Sequence, residues 1–356
     1  MTHIYCMTEF DYYIQQGEPS QREKAEAWAI AIGLQDVDGL KPSQYLVETA
    51  RKHIEGKVDY EEAKRLVNSY YETLPASELN SDIEEADKVA LHITQVLSEH
   101  TFTFSPAELA NIHRRLFTGV LPHAGRYRDV NITKKEWVLN GDTVLYASCD
   151  SISATLAYDF GQEKQFSYAR LPKEDMITHF SKFISGIWQI HPFREGNTRT
   201  TAVFAIKYLR KLGYRVTNEP FADNAKYFRN ALVRANYQNY EKGIEETTEF
   251  LELFFRNVLL GEQHPLKKRY QHIDWKQVAS SWSSEKSSEK QQTGTEKSSE
   301  KILRIMTENP TITTALLAQE IGIGTRAVDK QIAKLKALGQ LQRVGADKGG
   351  YWKVIK

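Results

Sequence analysis

The sequence predicts a mostly α-helical protein: a small N-terminal helical segment, a larger helical body bearing one β-hairpin, and a C-terminal winged helix. Three observations predict it. Apolar residues recur at three- and four-residue spacing over most of residues 20–260. One Asn-Gly pair, Asn140-Gly141, stands between two short β-prone runs. A Ser/Glu/Lys tract from Ser280 to Glu300, with SSEK occurring three times when Lys301 is counted, has almost no apolar surface to offset its ordering entropy. It reads as a tether between body and tail. The boundaries that follow are 1–75, 76–262, 263–300 as linker, and 301–356.

Helical patterns cover about 21–32, 43–54, 59–74, 82–99 and 106–118. The hairpin is expected over 132–148, because Asn and Gly tolerate the positive φ of a tight turn flanked by Trp137-Val138-Leu139 and Thr143-Val144-Leu145-Tyr146. Met176, Ile177, Phe180, Phe183, Ile184, Ile187 and Trp188 form the apolar face of a helix that begins after Pro172 and runs into His191. Another helix follows from about Thr198 to Leu212, where Gly213 suits a stop. Two more cover 223–239 and 244–260. In the tail, helices over 301–309, 313–321 and 325–338 with the turn Gly322-Ile323-Gly324, then β-prone runs over 340–354, follow the winged helix-turn-helix order.

The 356 residues carry 47 Lys+Arg and 46 Asp+Glu, a formal charge of +1, with 41% apolar residues and two cysteines. That much apolar material excludes wholesale disorder, and two cysteines exclude a disulfide framework or a four-thiolate metal site. The small charge hides a division. Residues 301–356 hold ten Lys/Arg and four Asp/Glu, a net of +6, which leaves 37 and 42, a net of −5, on residues 1–300. Arg326, Lys330, Lys334 and Lys336 on the third tail helix, with Arg343 and Lys348 on the hairpin, suit DNA phosphates. Sparse cysteine, and no apolar run of signal-peptide or membrane-spanning length, point to a cytoplasmic protein without membrane partners.

The densest chemical signal is His191-Pro192-Phe193-Arg194-Glu195-Gly196-Asn197-Thr198-Arg199-Thr200. A helix start beside glycine presents N–H groups that suit phosphates, and Arg199 in its first turn would add a charged fork. An acidic oxygen at Glu195 can hold Mg²⁺ bridging phosphate oxygens. His191 can take the proton of a hydroxyl attacking a phosphoryl group. A zinc site from His191, Glu195 and His179 lacks the spacing that puts two imidazoles on one helix face.

This ten-residue string resembles the Fic motif, HPFx(D/E)GNGRxxR. Gly125-Arg126-Tyr127-Arg128 resembles the family's GxYR segment, and the hairpin lies where the family carries a target-docking flap. Lys226 to Asn236 resembles the helix lining the adenine pocket, so the similarity spans about residues 80–255. The resemblance implies a Fic-type helical core and transfer of AMP from ATP, with Mg²⁺, to a Ser, Thr or Tyr hydroxyl of a protein, this chain itself included. By position, His191 is the general base, Glu195 the Mg²⁺ ligand, and Asn197 and Arg199 phosphate contacts. Gly196 permits close approach, and Asn236 contacts adenine with Tyr227 or Phe228 beside it. The flap would add the protein target's backbone as a strand, and a second copy of the chain is a further partner to consider.

Two departures stand out. Thr198 replaces the motif's second glycine, its hydroxyl a potential hydrogen-bond partner, and Ala202 its final arginine, which normally helps fix the terminal phosphate. They keep open another phosphoryl or nucleotidyl transfer, or a degenerate Fic core acting as a DNA-binding regulator.

Residues about 10–75 resemble the small VbhA-type antitoxin that shuts some Fic enzymes, a resemblance that implies an antitoxin fused in front of its enzyme. The inhibitory S/TxxxE(G/N) motif falls on Leu34, Asp38 and Gly39, with a shortened carboxylate, and the arginine it would grip is absent at Ala202. Regulation through Asp38 is therefore expected to be weak or lost, leaving a structural cover. Ser81 to Glu85 has the same serine-to-glutamate spacing but is followed by Ala86, and ranks second.

Overall fold

The computed structural model describes residues 10–274, 298–321, 325–337, 339–344 and 351–355. The tract 280–297, the turn 322–324 and the hairpin tip 345–350 lie outside the described residues. The chain divides into two compact units, with the boundary between residues 275 and 276.

The first unit is helical, with α1 (Asp11–Gln16), α2 (Pro19–Gly33), α3 (Gln44–Ile54), α4 (Tyr60–Thr73), α5 (Ser81–Ser98) and α6 (Pro106–Phe117) in its first half. Caps explain why several begin where they do. Ser43, Asp59 and Ser105 each accept a hydrogen bond from the third backbone N–H beyond them, and Asn80 accepts from Asp82 N and Ile83 N. The second half contains α7 (Ile152–Gln165), α8 (Lys173–Ile190), α9 (Asn197–Lys211), α10 (Glu219–Asp223), α11 (Ala225–Arg234) and α12 (Glu249–Leu260).

The centre is α9, buried at every position from Asn197 to Leu209. A helix buried on every face must be enclosed on all sides, and α5, α6 and α8 pack against it. Its one buried lysine, Lys207, reaches the end of α5 and donates to Val96 O and Glu99 O, both at 2.8 Å. Those orphan carbonyls at a helix C-terminus are a favourable place for an ammonium.

The N-terminal helices are continuous with this core, so the expected boundary at 75 does not mark a separate compact unit. Asp87 on α5 is fully buried and accepts from Ser43 N at 2.7 Å, Ser43 Oγ at 2.5 Å and Tyr71 Oη at 2.6 Å, joining α3, α4 and α5. The end of α2 meets α10 so closely that a Cβ on Gly33 would lie 2.1 Å from Ala222 O. At the other side, residues 263–274, the first part of the expected linker, also pack on the body. Gln271 is fully buried and donates to Tyr227 O at 2.9 Å, and Ile273 N donates to Val138 O.

The expected hairpin over 132–148 forms its turn but not its strands. Asn140 has φ 56° and Gly141 φ 84°, as the Asn-Gly pair requires. The run before it winds into a 3₁₀ turn, Trp137–Leu139, because Val138 and Leu139 both bury, which an alternating strand cannot do. Glu136 N donating to Asp142 O holds the base of the loop.

The second unit has α13 (Ser298–Glu308), α14 (Thr314–Ile321) and α15 (Thr325–Ala337), then β1 (Leu341–Val344) antiparallel to β2 (Tyr351–Val354), with Leu341 opposite Val354. Ile302, Met306, Leu317, Val328, Ile332, Leu335 and Leu341 form its core. This is the expected winged order. The side chains of Arg326, Lys330 and Lys334, and Lys348 as a whole, lie outside the described set. Lys336 and Arg343 flank Trp352, at 5.9 and 4.8 Å from its ring. Among the described residues, no helix is long and apolar enough to cross a membrane.

Candidate active site

α8 ends as its apolar stripe predicts, and His191 is its C-cap in the left-handed region, φ 50° and ψ 58°. A non-glycine residue there carries strain, so its surroundings must hold it. Arg128 does. Its buried guanidinium donates from Nε to His191 O at 2.8 Å, from Nη1 to Val130 O at 2.8 Å, and from Nη2 to Ile190 O at 3.3 Å and to Ala147 O. Arg128 thus binds the end of α8 to both roots of the 132–148 loop and contacts backbone rather than an open site. The GxYR resemblance marks Arg128 in the sequence but not this role, since the acceptors are carbonyls from three separate segments.

The imidazole of His191 is 2% exposed. Its Nδ1 lies 3.2 Å from Trp188 O, which can only accept, so Nδ1 carries the hydrogen and Nε2 the lone pair. Nε2 is buried without a partner. Burial, with the charges of Lys134, Arg229 and Arg128, holds the group well below its ordinary value and keeps it neutral.

The loop from Pro192 to Gly196 is closed by Asn197, whose Oδ1 accepts from Phe193 N at 2.9 Å and whose Nδ2 donates to Phe193 O at 2.7 Å. Asn197, expected as a phosphate contact, is therefore committed to the loop. Phe193 stacks on His113 at 3.8 Å. Gly125 N donates to His113 Nδ1 at 2.8 Å, so Nε2 carries the hydrogen and donates to Glu195 O at 3.1 Å. Burial pushes His113 down to about 4, consistent with this neutral form. No motif marked His113 in the sequence.

Gly196 has φ 72°, and a Cβ there would sit 2.4 Å from the Phe117 ring. No side chain caps α9, so its first N–H groups have no side-chain acceptor, an arrangement that suits an anion. Glu195 beside it is exposed. No group of three or more His, Cys, Asp or Glu among the described residues is arranged to hold a metal by itself. An exposed carboxylate beside a phosphate cradle nonetheless fits Mg²⁺, which takes one or two carboxylates and completes its shell with water and phosphate oxygens.

Thr198 is turned away from the cradle. Its Oγ1 accepts from Trp188 Nε1 at 2.9 Å, in the interior between α8 and α9. The departure from glycine thus adds an internal hydrogen bond. Thr198→Val should leave the indole N–H buried without a partner and lower unfolding stability by about 1–3 kcal/mol, measured by denaturant titration of Trp fluorescence.

Arg199 is 3% exposed. Nη2 donates to Glu85 Oε1 at 2.6 Å, Nη1 donates to Gln35 Oε1 at 3.1 Å, and Nε lies 3.0 Å from Asp38 Oδ2. The last is an ion pair without hydrogen-bond alignment, and the guanidinium also lies 4.8 Å from the Phe117 ring. The expectation that Asp38 has no arginine to grip is overturned: with Ala202 fully buried and uncharged, the carboxylate meets Arg199 instead. The second-ranked Glu85 makes the shorter contact. Asp38 lies on the 3₁₀ turn Leu34–Asp38, which packs against α5, α9 and α11 and is further held by Asp36 to Lys226 at 3.0 Å.

The residues expected around adenine are not brought together in an open pocket. Tyr227 is a core residue, 2% exposed among Phe250 and Phe254. Phe228 is buried against Phe221. Asn236 is partly exposed, with Nδ2 donating to Ser185 O at 3.1 Å and Leu232 O at 2.9 Å. Apolar α11 positions face the core, so helical spacing alone could not separate a pocket wall from packing.

Comparison with known proteins agrees with the motif. Over 137 residues the chain is 26% identical to protein adenylyltransferase VbhT of Bartonella schoenbuchensis (strain DSM 13525 / NCTC 13165 / R1); the match covers 38% of this chain and 26% of VbhT, about a quarter of that relative's length. Among solved structures, a Fic family protein from Desulfovibrio desulfuricans G20 is similar at 14% identity and TM-score 0.42, over 97% of this chain and 90% of that one. The N-terminal FIC domain of Bep8 from Bartonella sp. 1-1C is similar at 17% identity and TM-score 0.40, over 52% and 88%. Residues 103–209, which include His191 to Arg199, match the Fic/DOC family, and residues 299–352 match an HTH domain.

Proposed function

We propose that this protein is a Fic-type adenylyltransferase that moves AMP from ATP to a Ser, Thr or Tyr hydroxyl of a protein, itself included, and that its N-terminal segment holds it closed. The observation that carries the reading is His191: a neutral imidazole with its Nε2 lone pair free, one loop from an uncapped helix start. The target hydroxyl gives its proton to Nε2, its oxygen bonds to the α-phosphorus, and the bond from that phosphorus to the bridging oxygen breaks, releasing pyrophosphate. Glu195 would hold Mg²⁺, which supplies charge neutralisation on the phosphates. The α9 N–H groups and Arg199, once released, hold phosphate oxygens, while Asn197 keeps the loop in shape. Asn236 is proposed at the adenine, and the flap as the place where the target chain docks beside the exposed Leu145.

The test is transfer of label from ATP in the presence of Mg²⁺. Label on the α-phosphate, but not on the γ-phosphate, should appear on protein and depend on His191. Label transferred from the γ-position would replace the reading with phosphoryl transfer.

The HTH domain supports a second activity, DNA binding through residues 301–356. A gel shift of the full chain should appear at low salt and weaken steeply as salt rises. Absence of a shift at low salt would leave that unit as a protein-docking module.

A further inference from the structure

Lys134 lies on the segment entering the flap and has no role in the reading so far. It is partly buried, its backbone N–H donates to Thr143 Oγ1, and its ammonium makes no hydrogen bond or ion pair among the described residues. The charges acting on it are those of Asp38, Arg229, Glu136 and Glu195, and it is in turn the charge with the largest influence on His191. The other cations near His191 are committed. Arg229 makes two hydrogen bonds to the buried carboxylate of Glu136, at 2.5 and 2.9 Å. Arg128 is bound to four carbonyls, and Arg199 to Glu85, Gln35 and Asp38. The first two turns of α9 offer no further charge, since Ala202 is buried there.

An ammonium only partly withdrawn from water and lacking a protein partner gains when an anion supplies charge-assisted acceptors. The only anion that the proposed reaction brings beside His191, Glu195 and the α9 N-terminus is the phosphate chain of the nucleotide. We propose that Lys134 is a substrate-binding residue whose ammonium takes a phosphate oxygen of the bound nucleoside triphosphate. The assignment rests on the proposed adenylyltransferase reading. It places a phosphate contact on the flap, so the segment that docks the target also grips the nucleotide.

The experiment is titration calorimetry of the full chain with α,β-methylene-ATP and with adenosine, in the wild type, Lys134→Met and Lys134→Arg, each with and without the Asp38→Ala, Glu85→Ala pair that frees Arg199. Lys134→Met should weaken α,β-methylene-ATP roughly tenfold or more, leave adenosine within about twofold, and be largely restored by arginine. Equal affinity of the wild type and Lys134→Met for α,β-methylene-ATP overturns the assignment, as does an equal loss for both ligands, which marks a structural role. If the chain with Lys134 intact binds neither ligand in either background, the adenylyltransferase reading itself falls, and this inference with it.

Discussion

Replacing His191 with alanine should lower transfer of α-labelled AMP by about 10²–10⁴-fold, the range set by loss of a positioned general base. His191 suits that role because Trp188 O fixes the hydrogen on Nδ1, and Nε2 is buried with its lone pair uncommitted. Alanine is strained at φ 50°, so His191→Asn, which tolerates the left-handed region and keeps a polar side chain, is the companion variant. Both should melt as cooperatively as the wild type, which separates lost chemistry from lost folding. The pH profile carries a second expectation. Burial first, and the nearby cations next, place His191 well below 6.5, so the base form persists as pH falls through that value. Transfer should therefore stay level from pH 8 through 6.5, whereas a solvent-exposed histidine would lose activity there. A drop centred on 6.5 that moves with His191→Asn would overturn the assignment of a buried neutral base.

Elements with a local physical cause were legible in the chain. The helix at 43–54 begins at a Ser cap, α8 carries a dense apolar stripe, and the tail helices bring Ile302, Met306, Leu317, Val328, Ile332 and Leu335 into one core. α7 was not legible, because its buried positions are only Ile152, Leu156, Phe160 and Glu163, the last satisfied by Tyr168 and Tyr208 from elsewhere. The 132–148 run was read as strands from its β-branched and aromatic residues. Tertiary burial of the adjacent Val138 and Leu139 overrode that propensity. At the site, the motif marked His191, Glu195, Gly196 and Arg199 because they are contiguous. His113 has no motif of its own, and the GxYR segment marked Arg128 without its role, because both act on backbone groups, which have no sequence signature. The partners of Arg199 were the hardest to read: Gln35 lies 164 residues away and Glu85 114. Two carboxylates were marked by a spacing rule, but their shared target was assigned to position 202 and lies three residues earlier.

The double variant Asp38→Ala, Glu85→Ala should raise AMP transfer at least tenfold over the wild type. Arg199 cannot hold a phosphate while it is 3% exposed and bound to Glu85, Gln35 and Asp38, so the described state is a closed one. Opening requires breaking those contacts. A charge-assisted hydrogen bond contributes about 1.5–3 kcal/mol. The Asp38 pair, misaligned and 40% exposed on the carboxylate side, contributes less, on the order of 0.5–1 kcal/mol. Removing both shifts the equilibrium towards an open state by about 2–4 kcal/mol, a factor of roughly 30 to 10³ in population, of which the cost of ATP binding to a less ordered arginine returns a part. Glu85→Ala alone should release more than Asp38→Ala alone, because its contact is the shorter and better buried. That order is informative: a lock held only by the 34–38 turn would give the reverse. Transfer that falls in the double variant would mean that the two carboxylates orient Arg199 for catalysis. In that case they belong to the machinery of the reaction, and Arg199 must act on phosphate without leaving them.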